Sequence, residues 1–143
     1  MGQQDFNVDE FLSQPLTARV ATGGPTVRPT WFLWEDYSFW ILTGPWARLA
    51  GRVKAAPAVA LVVDECDLAS GLVRQVIARG DAAILPCDVP RGRRLLSRYL
   101  GPDEARWDPR FRQYLHGDPA PAGTVWLRLR PSSLTAADFS YAV

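Results

Sequence analysis

Apolar and polar positions along the chain fall into segments of two periods. Residues 5–14 bring Phe6, Val8, Phe11 and Leu12 to one helical face, with Asn7 or Asp5 as cap and Pro15 as stop, which predicts a short amphipathic helix. Residues 16–22 read as a strand, Gly23-Gly24-Pro25 as a turn and residues 26–34 as a second strand, the two forming a hairpin. Glu35-Asp36-Tyr37-Ser38 is polar enough to turn the chain again before an apolar, β-branched and aromatic strand from Phe39 to Thr43, ended by Gly44-Pro45. Residues 46–56 place Leu49, Ala50 and Val53 on a helical face among Arg48, Arg52 and Lys54, and Pro57 closes this crossover helix. Residues 59–63 lack polar alternation and predict a buried strand, 64–71 a loop, and 72–85 a long strand with Arg74, Gln75 and Arg79 as its polar positions and Gly80 as a bulge. A helix runs from Pro90 through Leu95, Leu96 and Tyr99 to Gly101-Pro102, and residues 107–115 add a turn or two. A flexible connection over 117–121 leads to the last predicted strand, 124–130.

Hairpins with one crossover helix in the middle and another near the end predict a mainly β fold with flanking helices, a Greek-key-like barrel in a single domain over residues 1–143. A Rossmann sheet is not predicted. No Gly-x-Gly-x-x-Gly follows a strand, and neither a Walker A loop nor a Gly-x-Ser-x-Gly elbow is present.

Composition narrows the chemistry. A net charge of +1, from 16 basic and 15 acidic residues, gives no footprint for a nucleic-acid backbone, so no nucleic-acid partner is expected. The start of the chain lacks the regions of a signal peptide, and the apolar run from Ala58 to Val63 is too short to span a bilayer. A cytoplasmic protein without membrane attachment is expected. Cys66 and Cys87 stand apart and read as two buried thiols, and His116, the only histidine, rules out a multi-histidine metal site. Six tryptophans either fill a core, the default for most of them, or wall a planar ligand. Trp46, just after Gly44-Pro45 in an exposed turn, is the best placed to touch one.

The blocks Thr26-Val27-Arg28-Pro29-Thr30-Trp31-Phe32-Leu33-Trp34, Leu42-Thr43, Ala47-Arg48-Leu49, Pro57 to Asp64, and Arg74-Gln75-Val76 followed by Gly80 occur in an order that resembles the pyridoxamine-phosphate-oxidase-like family. They cover about residues 16 to 85. The Trp-Phe-Leu-Trp string before an acidic turn is similar to the actinobacterial deazaflavin-dependent branch. The resemblance implies a split β-barrel of the FMN-binding type, a homodimer, and FMN or the deazaflavin coenzyme F-420 bound between subunits. Two departures stand out: Leu49 replaces a lysine that follows the family's arginine, leaving Arg52 or Lys54 to supply that charge, and Leu33 replaces another lysine. The chain also lacks the family's carboxy-terminal Arg-x-His type motif, so oxidation of a vitamin B6 phosphate is not implied.

The residues give the same site an independent rationale. A flavin phosphate needs a cation, hydroxyl donors and backbone amides, and Thr43, Gly44 and Arg48 supply that set at a strand end and a helix start. The cofactor-binding residues expected are Arg28, Pro29, Thr30, Trp31, Thr43, Gly44, Trp46, Arg48 and Gln75, with Gln75 bonding the ring or ribityl chain. On pattern alone, Thr43 and Gly44 also fit a plain turn, and Gln75 an outward polar position. The expected activity is oxidoreduction of a small planar or conjugated substrate by hydride or two-electron transfer. The alternatives are a flavin or haem carrier or sensor of the same fold, and an interaction module without cofactor.

Overall fold

The computed structural model describes residues 6–116 and 123–143. It contains eight strands, four α-helices and a 3-10 turn: α1 (Val8–Leu12), β1 (Ala18–Thr22), β2 (Thr26–Thr30), β3 (Leu33–Glu35), β4 (Ser38–Thr43), α2 (Leu49–Ala55), β5 (Ala58–Asp67), β6 (Leu72–Pro86), α3 (Val89–Leu100), the 3-10 turn Glu104–Arg106, α4 (Pro109–His116), β7 (Val125–Leu129) and β8 (Ser133–Asp138). The connection expected over 117–121 lies outside the described residues. No helix among the described residues is long and apolar enough to cross a membrane.

All strand pairs are antiparallel, in the order β2-β1-β5-β6-β7-β4-β3, with β8 also against β6. The sheet coils around a core that includes Phe11, Phe32, Phe39, Ile41, Val63, Val76, Leu127 and Leu129. It is the predicted split-barrel architecture, and the sheet is not closed: β2 and β3, at its two ends, do not pair. Only Trp31 and Phe32 join them, so the barrel is completed there by the chain itself rather than by a ladder of hydrogen bonds.

The single strand expected over 26–34 is therefore two. Its register breaks because β2 belongs with β1 while β3 belongs with β4, and the turn between β3 and β4 is a two-residue one with Asp36 and Tyr37 both at positive φ (54° and 51°). β5 runs on through residues 64–67, which were expected to loop. Their polar side chains sit across from β6, where Glu65 opposes Arg74 and pairs with it at 3.6 Å. The crossover helix starts three residues later than expected, at Leu49, and buries Leu49 and Val53.

Gly80 is not a bulge, since β5 and β6 stay in register through it. On the other edge of β6, residues 82–86 pair with β7 and 74–79 with β8, and Gly80 faces the link between those two strands. A Cβ there would lie 3.0 Å from the Arg130 carbonyl oxygen and 3.1 Å from the Ser132 nitrogen. β7 is accordingly not the last strand: Ser133-Leu134-Thr135-Ala136-Ala137-Asp138 is short and built mostly of small residues, packs Leu134 and Ala136 against the core, and becomes a strand because β6 offers it a free edge.

The thiols also differ from expectation. Cys66 is exposed and Cys87 half-buried, with burial and the neighbouring Asp88 pushing the Cys87 thiol up and keeping it protonated.

Candidate functional site

The β1–β2 hairpin, the Pro45-Trp46-Ala47 segment that follows β4 and the start of α2 enclose a cleft of about 440 Å³. Thr22, Thr26 and Arg28 line it from the hairpin, and Trp46, Arg48 and Arg52 from the segment that enters and forms α2. Arg52 reaches back over the hairpin turn, where its guanidinium lies 3.8 Å from the place a Cβ on Gly24 would take. A second chamber of about 220 Å³, walled by Trp31, Leu42, Leu95, Phe111 and Tyr114, adjoins it at Arg28 and Trp46. Arg28 and Trp46 line both chambers.

The two ends differ in chemistry. Three guanidiniums, those of Arg28, Arg48 and Arg52, face the first chamber, and none of them makes an ion pair or a side-chain hydrogen bond among the described residues. Among the described residues, no Asp or Glu lines either chamber. Unpaired arginines converging without a carboxylate form a site for an anion, and phosphate suits their planar forks. The second chamber is aromatic: Trp31 stacks on Tyr99 at 4.5 Å and 2° and on Phe111 at 5.6 Å, while Trp46 meets Tyr114 edge-on at 5.7 Å. Such walls accept a flat, polarisable ring.

Local structure accounts for the placement of Trp46. A Cβ on Gly44 would fall 2.3 to 2.9 Å from three atoms of its ring, so the indole lies directly on the Gly44 backbone. A Cβ on Gly123, which has a φ of 80°, would press on Pro45 at 2.7 Å, so this glycine gives the Gly44-Pro45-Trp46 turn its room from the other side.

Of the expected site residues, Arg28 and Trp46 line both chambers, Arg48 the first, and Pro29, Thr30 and Trp31 the second. Gly44 supports Trp46 from below. Thr43 and Gln75 line neither. Thr43 is fully buried at the end of β4, opposite Val125. Gln75 sits on β6 between Asp64 and Ala137, two strands away from β1 and roughly 15 Å further along the sheet than Thr22, by strand spacing and rise. Arg52, offered only as a substitute for the missing lysine, is part of the first chamber, whereas Lys54 is not. Phe111 and Tyr114 were not anticipated. Their helix showed an amphipathic pattern, and only the docking of α4 on α3, through Leu96, Trp107 and Leu115, brings them to the groove.

The expected core role holds for Trp40, Trp107 and Trp126, which are buried, while Trp31 and Trp46 are exposed by 37% and 52% and belong to the groove. His116 lies outside it, paired with Glu104, whose carboxyl is held below its ordinary range first by Arg93 and then by His116. No group of His, Cys, Asp and Glu among the described residues could hold a metal ion.

Residues 5–136 match the family model described as pyridoxamine 5'-phosphate oxidase. A search of curated proteins gave no match. Among solved structures, an F-420 reductase is similar at a TM-score of 0.67 and 24% identity, covering 92% of this chain and 98% of that one. A conserved hypothetical protein of Mycobacterium tuberculosis aligns at a TM-score of 0.68 and 19% identity, over 94% of this chain and 90% of the other. A FAD-binding protein of Mesorhizobium loti aligns at 0.63 and 18%, over 94% and 96%.

Proposed function

Since the chain belongs to the pyridoxamine 5'-phosphate oxidase family, we propose that its groove binds a flavin or deazaflavin cofactor and that the protein is an oxidoreductase acting on a small planar or conjugated substrate. The observation that carries this reading is the adjacency of two unlike chambers: three arginines without an ion pair among the described residues at one end and an aromatic wall at the other, with Arg28 and Trp46 lining both. Arg48 and Arg52 would hold the phosphate, Arg28 would sit where phosphate gives way to ring, and Trp31 and Trp46 would flank the ring system. Such a cofactor supplies two-electron transfer when bound. The protein's own part is to bind, orient and exclude water. Solved structures of an F-420 reductase and a FAD-binding protein with this fold support the cofactor class.

FMN and the deazaflavin F-420 both suit the donor set, and the reading extends to a homodimer in the cytoplasm. Gln75 is too far from the groove of its own chain to touch the ring, and would do so only from a second copy. The carrier reading draws on a different observation: among the described residues, no carboxylate, histidine or thiol lines either chamber.

Titration of the apo-protein with FMN, FAD and F-420, followed by tryptophan fluorescence, tests the binding. Stopped-flow oxidation of the reduced complex by enones, quinones and oxygen then tests turnover. Tight binding without oxidation by any organic acceptor would favour the carrier, and no binding of any cofactor would end the functional reading.

A further inference from the structure

The two-residue gap between β2 and β3 is where the barrel wall has no ladder, and it coincides with Trp31, the aromatic residue most fully engaged in stacking at the second chamber. Tyr99, from α3, fills that gap. Its hydroxyl accepts the Phe32 N–H at 3.0 Å and is placed to donate either to the Leu16 carbonyl at 2.7 Å or to the Phe32 carbonyl at 3.1 Å. Its ring lies parallel to the Trp31 indole at 4.5 Å. Next to it Arg98 donates to the Leu12 carbonyl at 3.0 Å and to that of Gln14, so the end of α1 and the strand break are fastened to the same turn of α3.

We propose that Tyr99 is a positioning residue for the cofactor groove: anchored by its hydroxyl at the strand break, its ring is the fixed support that holds the Trp31 indole in one orientation as an aromatic wall of the ligand site. This rests on the proposed function. Tyr99 lines neither chamber itself, so it touches no ligand and acts through Trp31. The geometry favours this over a purely structural role. A tyrosine needed only to satisfy the Phe32 amide and the Leu16 carbonyl has no reason to lie within 2° of parallel to a neighbour that remains partly open to the groove. Phe32 is fully buried and fixes the backbone on one side of the break. Trp31, next to it, has neither a strand partner nor a buried pocket, and without the Tyr99 ring its indole would keep the looser Phe111 contact at 5.6 Å and 25° and gain freedom about χ1.

The test is a double-mutant cycle on cofactor dissociation constants, read with FMN and with F-420, using Tyr99→Phe, Tyr99→Leu, Trp31→Ala and the combinations. Tyr99→Phe keeps the ring and loses the hydroxyl, and stays informative if Tyr99→Leu does not fold. The expected result is a Kd raised about tenfold by Tyr99→Leu and about threefold by Tyr99→Phe, with neither substitution changing Kd further once Trp31 is alanine. Both would still lower Tm in that background. In the apo-protein, the indole N–H resonance of Trp31 should shift and broaden in Tyr99→Leu and be largely restored in Tyr99→Phe. Wild-type Kd in both Tyr99 variants, or equal effects with and without Trp31, would overturn the positioning role and leave the functional reading standing. If wild type binds neither cofactor, that reading falls, and the positioning role with it.

Discussion

Arg28, Arg48 and Arg52 reach one chamber from two elements, and none is paired with an acid among the described residues, so each should contribute separately to holding an anion. Arg48→Ala is expected to weaken binding of a phosphate-bearing cofactor by about 1.5–3 kcal/mol, the range for a charge-assisted contact, while riboflavin, which has no phosphate, should lose almost nothing. Calorimetric titration of the two ligands checks this, and equal losses for both would remove Arg48 from the phosphate site. Gly44→Ala should act differently. The new methyl would meet the Trp46 ring, which is half exposed and can swing aside, so stability should fall by less than about 1 kcal/mol while cofactor affinity and Trp46 fluorescence change together. Residue types in order along the chain pointed to Arg28, Trp31, Trp46 and Arg48, all of which line the two chambers. Thr43 and Gln75 line neither, because alternation says that a strand has two faces and not which of them meets a cleft.

The β3–β4 hairpin is tied to α3 through Glu35, which accepts from Arg91 Nε at 2.7 Å and from Arg94 at 2.7 and 3.0 Å, while the Arg91 guanidinium covers the face of Trp40 at 3.6 Å. The hydrogen bond from Arg94 is the main reason that the Glu35 carboxyl is held below its ordinary range, with burial opposing and Arg91 adding to it. A carboxyl depressed in the folded state stabilises fully above its unfolded pKa, and that stability is lost as pH falls through the folded value. Glu35→Gln should therefore cost about 1 kcal/mol at pH 7, and wild type and variant should converge below about pH 4 in urea unfolding. A gap that persists in acid would place its origin in packing. At the far edge of β6, Gly80→Ala presses a methyl onto the backbone of Arg130 and Ser132, which cannot swing away, and should cost about 1–3 kcal/mol by the same measurement. The elements most visible in the sequence were those with strong punctuation: α3 between Pro90 and Gly101, and β4 before Gly44-Pro45. The break at Trp31-Phe32 carries no glycine or proline, and the alternation in β8 is only two apolar positions long, Leu134 and Ala136, so both are set by which strand lies alongside, which a linear pattern does not contain.

For the molecule as a whole, Val27, Trp31 and Trp46 stay exposed on one side and Leu68, Tyr141 and Val143 on the hairpin end of β5 and β6, apolar positions that a second copy would cover in the proposed dimer. Sedimentation at micromolar concentration should give twice the 15.9 kDa mass of the chain. A monomer would leave the exposed tryptophans without cover and Gln75 without any route to a ligand. The split-barrel architecture and its crossover helix followed from the alternation of periods. The groove did not, because it is made by α4 settling on α3 beside a hairpin some eighty residues earlier in the chain.

One strand has a consequence for how the protein comes apart. β6 spans fifteen residues and serves both halves of the barrel, bonded to β5 and β8 along one stretch and to β7 along the next. Neither half can melt without stripping β6 of a neighbour, so local opening on either side is coupled to the other. Amide exchange should then show its slowest protons along β6 between residues 75 and 85, with opening free energies equal to that of global unfolding, and heating should give a single calorimetric peak whose van't Hoff and calorimetric enthalpies agree.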